Sequence, residues 1–194
     1  MSRLIVATNN AGKTREIKAI LGGFYDEILS LADAGIDLDV VEDGDTFEQN
    51  AVKKATEAAA ITGCDTLADD SGLCVDALGD APGIYSARYA GENATDEDNN
   101  DKLLAAMDGE QNRAAKFVCA MALVRGGDVI TTRGEVHGQI AQGRSGSGGF
   151  GYDPLFYYPE LGQTFGQIDA ETKNRLSHRS RALAALKAAL AEGA

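Results

Sequence analysis

No stretch of this sequence approaches the ~20 consecutive apolar residues needed to cross a bilayer, which excludes an α-helical membrane span. Cysteine is scarce: Cys64, Cys74 and Cys119 form an odd set without C-x-x-C spacing. Structural disulfides and a zinc site are therefore not expected, and small buried thiols are. Positive charge is in deficit as well. The formal net charge is −12, and so acidic a chain cannot coat nucleic acid through a general basic field. There is no basic-then-apolar leader, since Met1-Ser2-Arg3 runs straight into Leu4-Ile5-Val6, and a cytoplasmic location is expected. A single glycine is missing too. The segment ATNNAGKT, residues 7–14, falls one residue short of the phosphate-cradling pattern G-x-x-x-x-G-K-[ST], with Ala7 where the first glycine would stand.

The 194 residues present suffice for one sizeable domain or two small lobes sharing a core. Residues 3–7 read as a buried strand and 11–21 as a helix closed by Gly22-Gly23. Residues 37–41 alternate like a short strand. Thr46-Phe47-Glu48-Gln49 is a capping box opening a helix to about residue 62, with alanines suited to close packing on a sheet. Residues 66–69 enter a strand that Ser71-Gly72 should break before 73–75 continue it. Residues 79–91 read as loop, and 95–107 as a helix opened by Thr95. Residues 116–124 and 128–137 form a hairpin around Gly126-Gly127. A glycine- and serine-rich segment, 139–151, follows, and 170–190 read as a single amphipathic helix. Helices interleaved with strands indicate an α/β fold, and the hairpin makes its sheet mixed. No internal repeat is present.

If so acidic a protein handles a polyanion, it must do so locally, with clustered cations or a metal. Lys13, Arg15 and Lys18 cluster, as do Lys53 and Lys54, and Lys173, Arg175, His178, Arg179 and Arg181. A strand, a polar turn and a helix at 7–14 would aim free N–H groups at an anion, beside Lys13 and the donors of Thr8, Asn9 and Asn10. LADDSG, residues 67–72, ends an apolar run with two acids. Successive strand side chains point oppositely, so Asp69 and Asp70 cannot pair on one side. One faces the sheet end as metal ligand, general base or turn residue. An acid of the 42–45 loop meeting Asp70 would make an oxygen site for Mg²⁺; alone, such a loop is ordinarily just solvated. In GGFGYDPLF, residues 148–156, glycines let backbone approach a flat ring, Phe150 or Tyr152 could stack on a base, and Asp153 could accept hydrogen bonds. His178 falls inside a helix pattern and, by itself, reads as a surface residue.

Together ATNNAGKTREI, GDTFEQNAVKKA, LADDSGLCVDALGDAPGIYSARYAG, GGFGYDPLF and KNRLSHRSRAL, in that order, resemble the inosine/xanthosine triphosphate pyrophosphatases, house-cleaning enzymes for deaminated purine nucleotides. The resemblance covers nearly the whole chain, and implies that 1–194 is one such domain. It implies an elongated α/β fold of two lobes, with a central mixed sheet flanked by helices and the active-site cleft between the lobes. It also implies a homodimer, a Mg²⁺ requirement, and attack of water at the α–β linkage of a nucleoside triphosphate. By position, Thr8, Asn9, Asn10, Ala11, Gly12 and Lys13 would hold the triphosphate. Asp70 would bind Mg²⁺ with help from Glu42, Asp70 or Asp69 would orient the water, and Lys54 would join Lys13 on the departing pyrophosphate. Ser71 would touch substrate, and Phe150, Gly151, Tyr152, Asp153, Lys173, His178 and Arg179 would surround base and sugar. Donors near Ser177-His178 or on Arg179 would read the 6-oxo group. One departure is visible: the family usually has glutamate where Gln49 stands, and a neutral amide there would weaken the metal site if that glutamate contributes charge. The rivals are a phosphate-loop kinase or GTPase, which would release orthophosphate, a purine nucleotide sensor, which would not turn over, and a pyrophosphatase for pyrimidine or modified nucleotides.

Overall fold

The computed structural model describes residues 2–8 and 11–192. Strand β1 (Arg3–Val6) is buried after its first residue. Leu4 and Val6 join Ile17 and Leu21 of helix α1 (Ala11–Leu21) and Leu183, Leu186 and Leu190 of helix α5 (His178–Glu192). Ile5 instead packs with Leu31 and with Ala58 of helix α2 (Phe47–Thr62). A strand covered on both faces by helices needs apolar residues at successive positions, and Leu4-Ile5-Val6 supplies them.

Through α1 the chain returns as β2 (Glu27–Ser30), parallel to β1. Through α2 it returns as β3 (Asp65–Val75), parallel to β1 on the other side, with Val6 opposite Leu67. The sheet order is β2-β1-β3-β4-β5-β6-β7. Chain direction across the sheet thus reverses at β1, a topological switch point of the kind that opens a crevice beyond strand carboxyl ends. β1 stops at Val6 while β3 runs on, so Asp69 and Asp70 lie past the end of their neighbour. The remaining strands are β4 (Ala114–Arg125), β5 (Asp128–Ile140), β6 (Phe156–Tyr158) and β7 (Gln163–Thr164). The β4–β5 connection is the anticipated hairpin turn, with φ of 60° at Gly126 and 95° at Gly127. Pairs β5–β6 and β6–β7 are antiparallel, so the sheet is mixed.

The chain divides into two compact units: Met1–Asp70, Cys119–Gly134 and Arg179–Ala194 form the first, Ser71–Val118 and Glu135–His178 the second. Each has its own core. That of the second centres on Phe117, Phe156 and Phe165, with Leu103 of α3 (Asp96–Ala106) and Met107 against them. Thr95 caps α3 in a complete box with Asp98.

Several elements differ from the sequence reading. β3 is continuous through Ser71-Gly72 even though β1 ends opposite Leu67; β4, its other neighbour in the sheet, extends the strand against glycine's weak preference. Residues 37–41 belong to no strand, whereas β2, β6 and β7 were not anticipated. Residues 79–91 contain one short 3₁₀ segment, Gly83–Arg88, and a second, Asp76–Leu78, ends just before them. The C-terminal helix is two helices, α4 (Ala170–Leu176) and α5, broken at Ser177, whose ψ is 157°. Leu176 serves the second core and Leu183 the first, so one straight apolar stripe was never required. Cys74 and Cys119 are buried and Cys64 is partly buried. Among the described residues, no helix is long and apolar enough to cross a membrane.

Candidate active site

In the first unit a cavity of about 220 Å³ opens at the switch point, lined by Ala7 and Thr8 after β1, Lys13, Glu42, Lys54 and Asp69, with Leu38 and Val40 on its apolar side. The charged groups that line it and stand behind it form two sets, set by the opposite orientation of Asp69, which lines it, and Asp70, which does not. Asp69, 3% exposed, accepts from Lys13 Nζ at 2.8 Å and lies 3.6 Å from Nε of the buried Arg179. Arg179 reaches Glu16 at 3.2 Å, and Glu16 stands one helical turn after Lys13 in α1. Asp70 accepts from Asn50 Nδ2 at 2.9 Å and lies 4.0 Å from Lys54 Nζ, which is 2.6 Å from Glu42 Oε1.

Helix α2 explains the second set. Phe47, Ala51, Ala55 and Ala58 bury one face of it, and Asn50 and Lys54, a turn apart, sit on the same side. Thr46 accepts from Gln49 N–H, but Gln49 Oε1 accepts from Asp45 N–H, so the anticipated capping box is only half formed. The side chain of Gln49 is thereby turned to the loop, and Asn50 is the amide that reaches Asp70. Glu48 pairs with Arg133 instead. The acidic loop is held along its length: Gly44 N–H donates to Asn50 Oδ1 at 2.8 Å, and Asp43 pairs with Lys53. Glu42 reaches the interior because residues 36–42 alternate between partly buried and exposed. The period-two pattern is real, although this segment has no ladder partner among the described residues.

Burial pushes the Asp70 carboxyl up to about 6; Lys54 and Asn50 oppose the shift, and Glu42 and Asp69 add to it. Burial would raise Asp69 too, but Lys13, Arg179 and Lys54 outweigh it and hold this carboxylate well below the usual range. For Lys54, burial favours loss of the proton, yet Asp70, Asp69 and Glu42 raise its affinity for it. The Lys54 ammonium therefore occupies a position that favours a cation. Among the described residues, no three His, Cys, Asp or Glu side chains gather to enclose a metal ion. Mg²⁺ needs no enclosure, since one or two carboxylates with waters and substrate phosphates satisfy it. Asp70 and Glu42, converging on one ammonium, fit that pattern.

The second unit carries the aromatic loop. Phe150 is 49% exposed, and Lys173 Nζ lies 4.4 Å over its ring. Asp153 accepts from Phe150 N–H at 2.8 Å and also pairs with Lys173. Of the two rings suggested for stacking, Phe150 offers the open face. Tyr152 is 4% exposed, sits in the second core and donates to the Ser86 carbonyl at 2.7 Å. Gly149 is required by contact: a Cβ there would lie 2.0 Å from Asp153 Oδ2.

Of the other sequence-derived candidates, Asn9 and Asn10 lie outside the described residues, and Ala11 and Gly12 begin α1. Ser71 follows Asp70 in β3 as the first residue of the second unit. His178 is buried rather than on a helix surface, its ring stacked on Phe117 with centroids 5.0 Å apart. Arg179 is buried between two carboxylates, which makes it a support for Asp69 in this structure. Asn50 and Glu16 were missed. For Asn50 the signal was present: a polar residue one turn before Lys54 on the apolar face of α2. Glu16 had only its helical offset from Lys13, which does not distinguish it from solvated neighbours.

Comparison with known proteins agrees with this arrangement. The model of the Ham1 family matches residues 4–189. A dITP/XTP pyrophosphatase of Geobacter sulfurreducens is 55% identical over 190 residues, 96% of each chain. One of Clostridium perfringens is 48% identical, again over 96% of each. Among solved structures, the Ham1 protein of Staphylococcus aureus superposes with a TM-score of 0.92 at 42% identity, covering 100% of both chains. That of Coxiella burnetii gives 0.92 at 38% identity over 99% of this chain and 100% of its own. On the strength of its crevice, its sheet and this likeness over almost its full length, the chain belongs to the Ham1 family.

Proposed function

We propose that this protein hydrolyses non-standard purine nucleoside triphosphates (dITP, ITP, XTP and dXTP) to the monophosphate and pyrophosphate. The observation that carries the reading is the first-unit crevice, where Lys13 of α1, Lys54, and Glu42 of the acidic loop meet Asp69, with Asp70 beside Lys54. The relatives named dITP/XTP pyrophosphatase support the substrate class.

Water attacks the α-phosphorus, the bond from that phosphorus to the α–β bridging oxygen breaks, and the bridging oxygen leaves with pyrophosphate. Asp70 and Glu42 would hold Mg²⁺, which when bound neutralises phosphate oxygens and polarises the scissile linkage. Asp70, rather than Asp69, is suited to orient the water and take its proton: it accepts from the Asn50 amide and stands 4.0 Å from Lys54 Nζ. Asp69 is committed to Lys13 and Arg179. Lys13, fixed by Asp69, neutralises charge on the leaving pyrophosphate, and Lys54, paired here with Glu42, would add a second positive charge there. In the second unit, the open Phe150 ring and the Asp153–Lys173 pair are assigned to base and sugar.

A 6-oxo base presents an acceptor where adenine presents a donor. A buried donor left unpaired by adenine costs about 1–3 kcal/mol, roughly tenfold to a hundredfold in selectivity. The test is to incubate the protein and Mg²⁺ separately with dITP, XTP, dGTP and dATP and to identify the products. Pyrophosphate from the first two and little from the others is the expected result. Orthophosphate, or no turnover, would end the reading. A cytosolic homodimer is proposed on the family resemblance; light scattering that finds only the monomer mass at micromolar concentration would remove the dimer.

A further inference from the structure

The loop bearing Phe150 and Asp153 is gripped by α3, whose sequence suggested only a capped, acidic helix start. The Gly151 N–H donates to Oδ2 of Asp96 at 2.7 Å. The Gly151 carbonyl accepts from Nδ2 of Asn100 at 2.9 Å. Asp96 and Asn100 stand four residues apart and project from one side of the helix, so both polar sides of this glycine meet one surface. Asn99 serves the neighbouring segment in the same way. Its Oδ1 accepts from Ala90 N–H at 2.8 Å and its Nδ2 donates to the Ala87 carbonyl at 3.1 Å.

Asn100 is 3% exposed, and its Nδ2 also donates to the Asp96 carbonyl at 2.7 Å. Its Oδ1 is buried with no hydrogen-bond partner among the described residues. An unmade bond at a buried acceptor is unfavourable, and an apolar side chain of similar size would avoid it. What the amide contributes is therefore its donor side, one N–H of which goes to Gly151. Gly151 itself has φ of 60°, a conformation that favours glycine and leaves no side chain to anchor the loop there.

We propose that Asp96 and Asn100 are positioning residues for base recognition. By holding Gly151 at its N–H and its carbonyl, they fix the attitude of the Phe150 ring and of the Asp153–Lys173 pair on either side of it. The inference rests on the assignment of this loop to the base.

Because the chain has no tryptophan, Phe150→Trp installs a single fluorophore in the loop. Adding Asp96→Ala or Asn100→Ala should raise acrylamide quenching of that tryptophan about twofold, because Gly151 loses one of the two bonds that hold it. Asp96→Asn keeps an acceptor for Gly151 and should restore the parent value. Should an alanine variant not fold, Asn100→Leu removes the donor at similar volume without burying a charge and is expected to behave likewise. In the Phe150 protein, the same substitutions should weaken inosine monophosphate binding roughly tenfold, one hydrogen bond's worth. Pyrophosphate affinity should stay within about twofold, and KM for dITP should rise with kcat nearly unchanged. Unchanged quenching, or an equal loss of monophosphate and pyrophosphate binding, would overturn the proposal. If the parent protein binds no inosine monophosphate, the assignment of the loop to the base fails, while the quenching series still decides whether α3 holds the loop.

Discussion

Asp69 and Asp70 share a strand and a depth of burial but not a chemistry, because neighbouring strand residues face different partners. Asp69 meets two cations and stays ionised; Asp70 meets one ammonium, an amide and a second carboxylate, and its charge is poorly compensated. This fixes a sign. A carboxyl raised from 3.8 to about 6 on folding contributes stability that is fully present below pH 4 and is lost as pH rises to 6. Asp70→Asn should therefore stabilise the metal-free protein at pH 7 by up to about 3 kcal/mol, with the gain vanishing near pH 4. Melting curves in EDTA at the two pH values measure it, and an asparagine variant less stable at pH 7 would contradict the charge-burial account. With Mg²⁺ the parent should gain stability and the variant should not. Turnover of dITP should fall in the variant by on the order of a hundredfold or more. Gly149 is constrained by contact and by its φ of 76°. Gly149→Ala should displace Asp153 at a cost of about 1–3 kcal/mol, read as a lower melting temperature and a higher KM for dITP.

At the level of elements, what was legible in the sequence was what local chemistry decides. The Thr46 and Thr95 caps, the glycine pair at 126–127 and the apolar run of β1 each carry their own signal, and each element formed where it was expected. Elements that depend on distant partners were misread. β2 is four residues long and exists because β1 lies beside it; residues 37–41 alternate as well as any strand, yet lack a ladder partner among the described residues. That alternation still delivered Glu42 inward, so a wrong element carried a usable site residue. Residue type pointed to Lys13, to one of Asp69 and Asp70, and to an acid of the 42–45 loop; the family resemblance singled out Asp70 and Glu42. The contribution of Asn50 depends on helix phase and on a loop folding back over it, which only tertiary contact reveals. Arg113 escaped notice for the same reason. Its guanidinium donates to the carbonyls of Met107, Glu110, Ile140 and Ala141, tying the end of α3 to the end of β5. Lysine cannot reproduce that planar fork. Arg113→Lys should cost about 1–2 kcal/mol in chemical denaturation, with unfilled, partly buried carbonyls as the cause; a loss within experimental error would show that water serves them equally well.

Across the whole molecule, the net charge of −12 sets how a triphosphate arrives. Lys13, Lys54 and Arg179 do not make the crevice basic, since each is matched by a carboxylate within 4.0 Å. A polyanion approaching without a divalent ion therefore meets repulsion from the protein as a whole and finds Lys13, Lys54 and Arg179 already paired. Salt screens long-range repulsion most: the Debye length falls from about 30 Å at 0.01 M to about 8 Å at 0.15 M. In EDTA, dITP affinity should thus hold steady or rise over that range, whereas binding to a basic groove would fall. Adding Mg²⁺ at fixed ionic strength should tighten binding by at least roughly tenfold, the equivalent of about 1.4 kcal/mol. Equilibrium titration at two salt concentrations, with and without Mg²⁺, separates the terms. Strong metal-free binding that weakens steeply with salt would mean that the lysines bind phosphate unaided, and the assignment of Asp70 and Glu42 to a divalent ion would lose its physical reason.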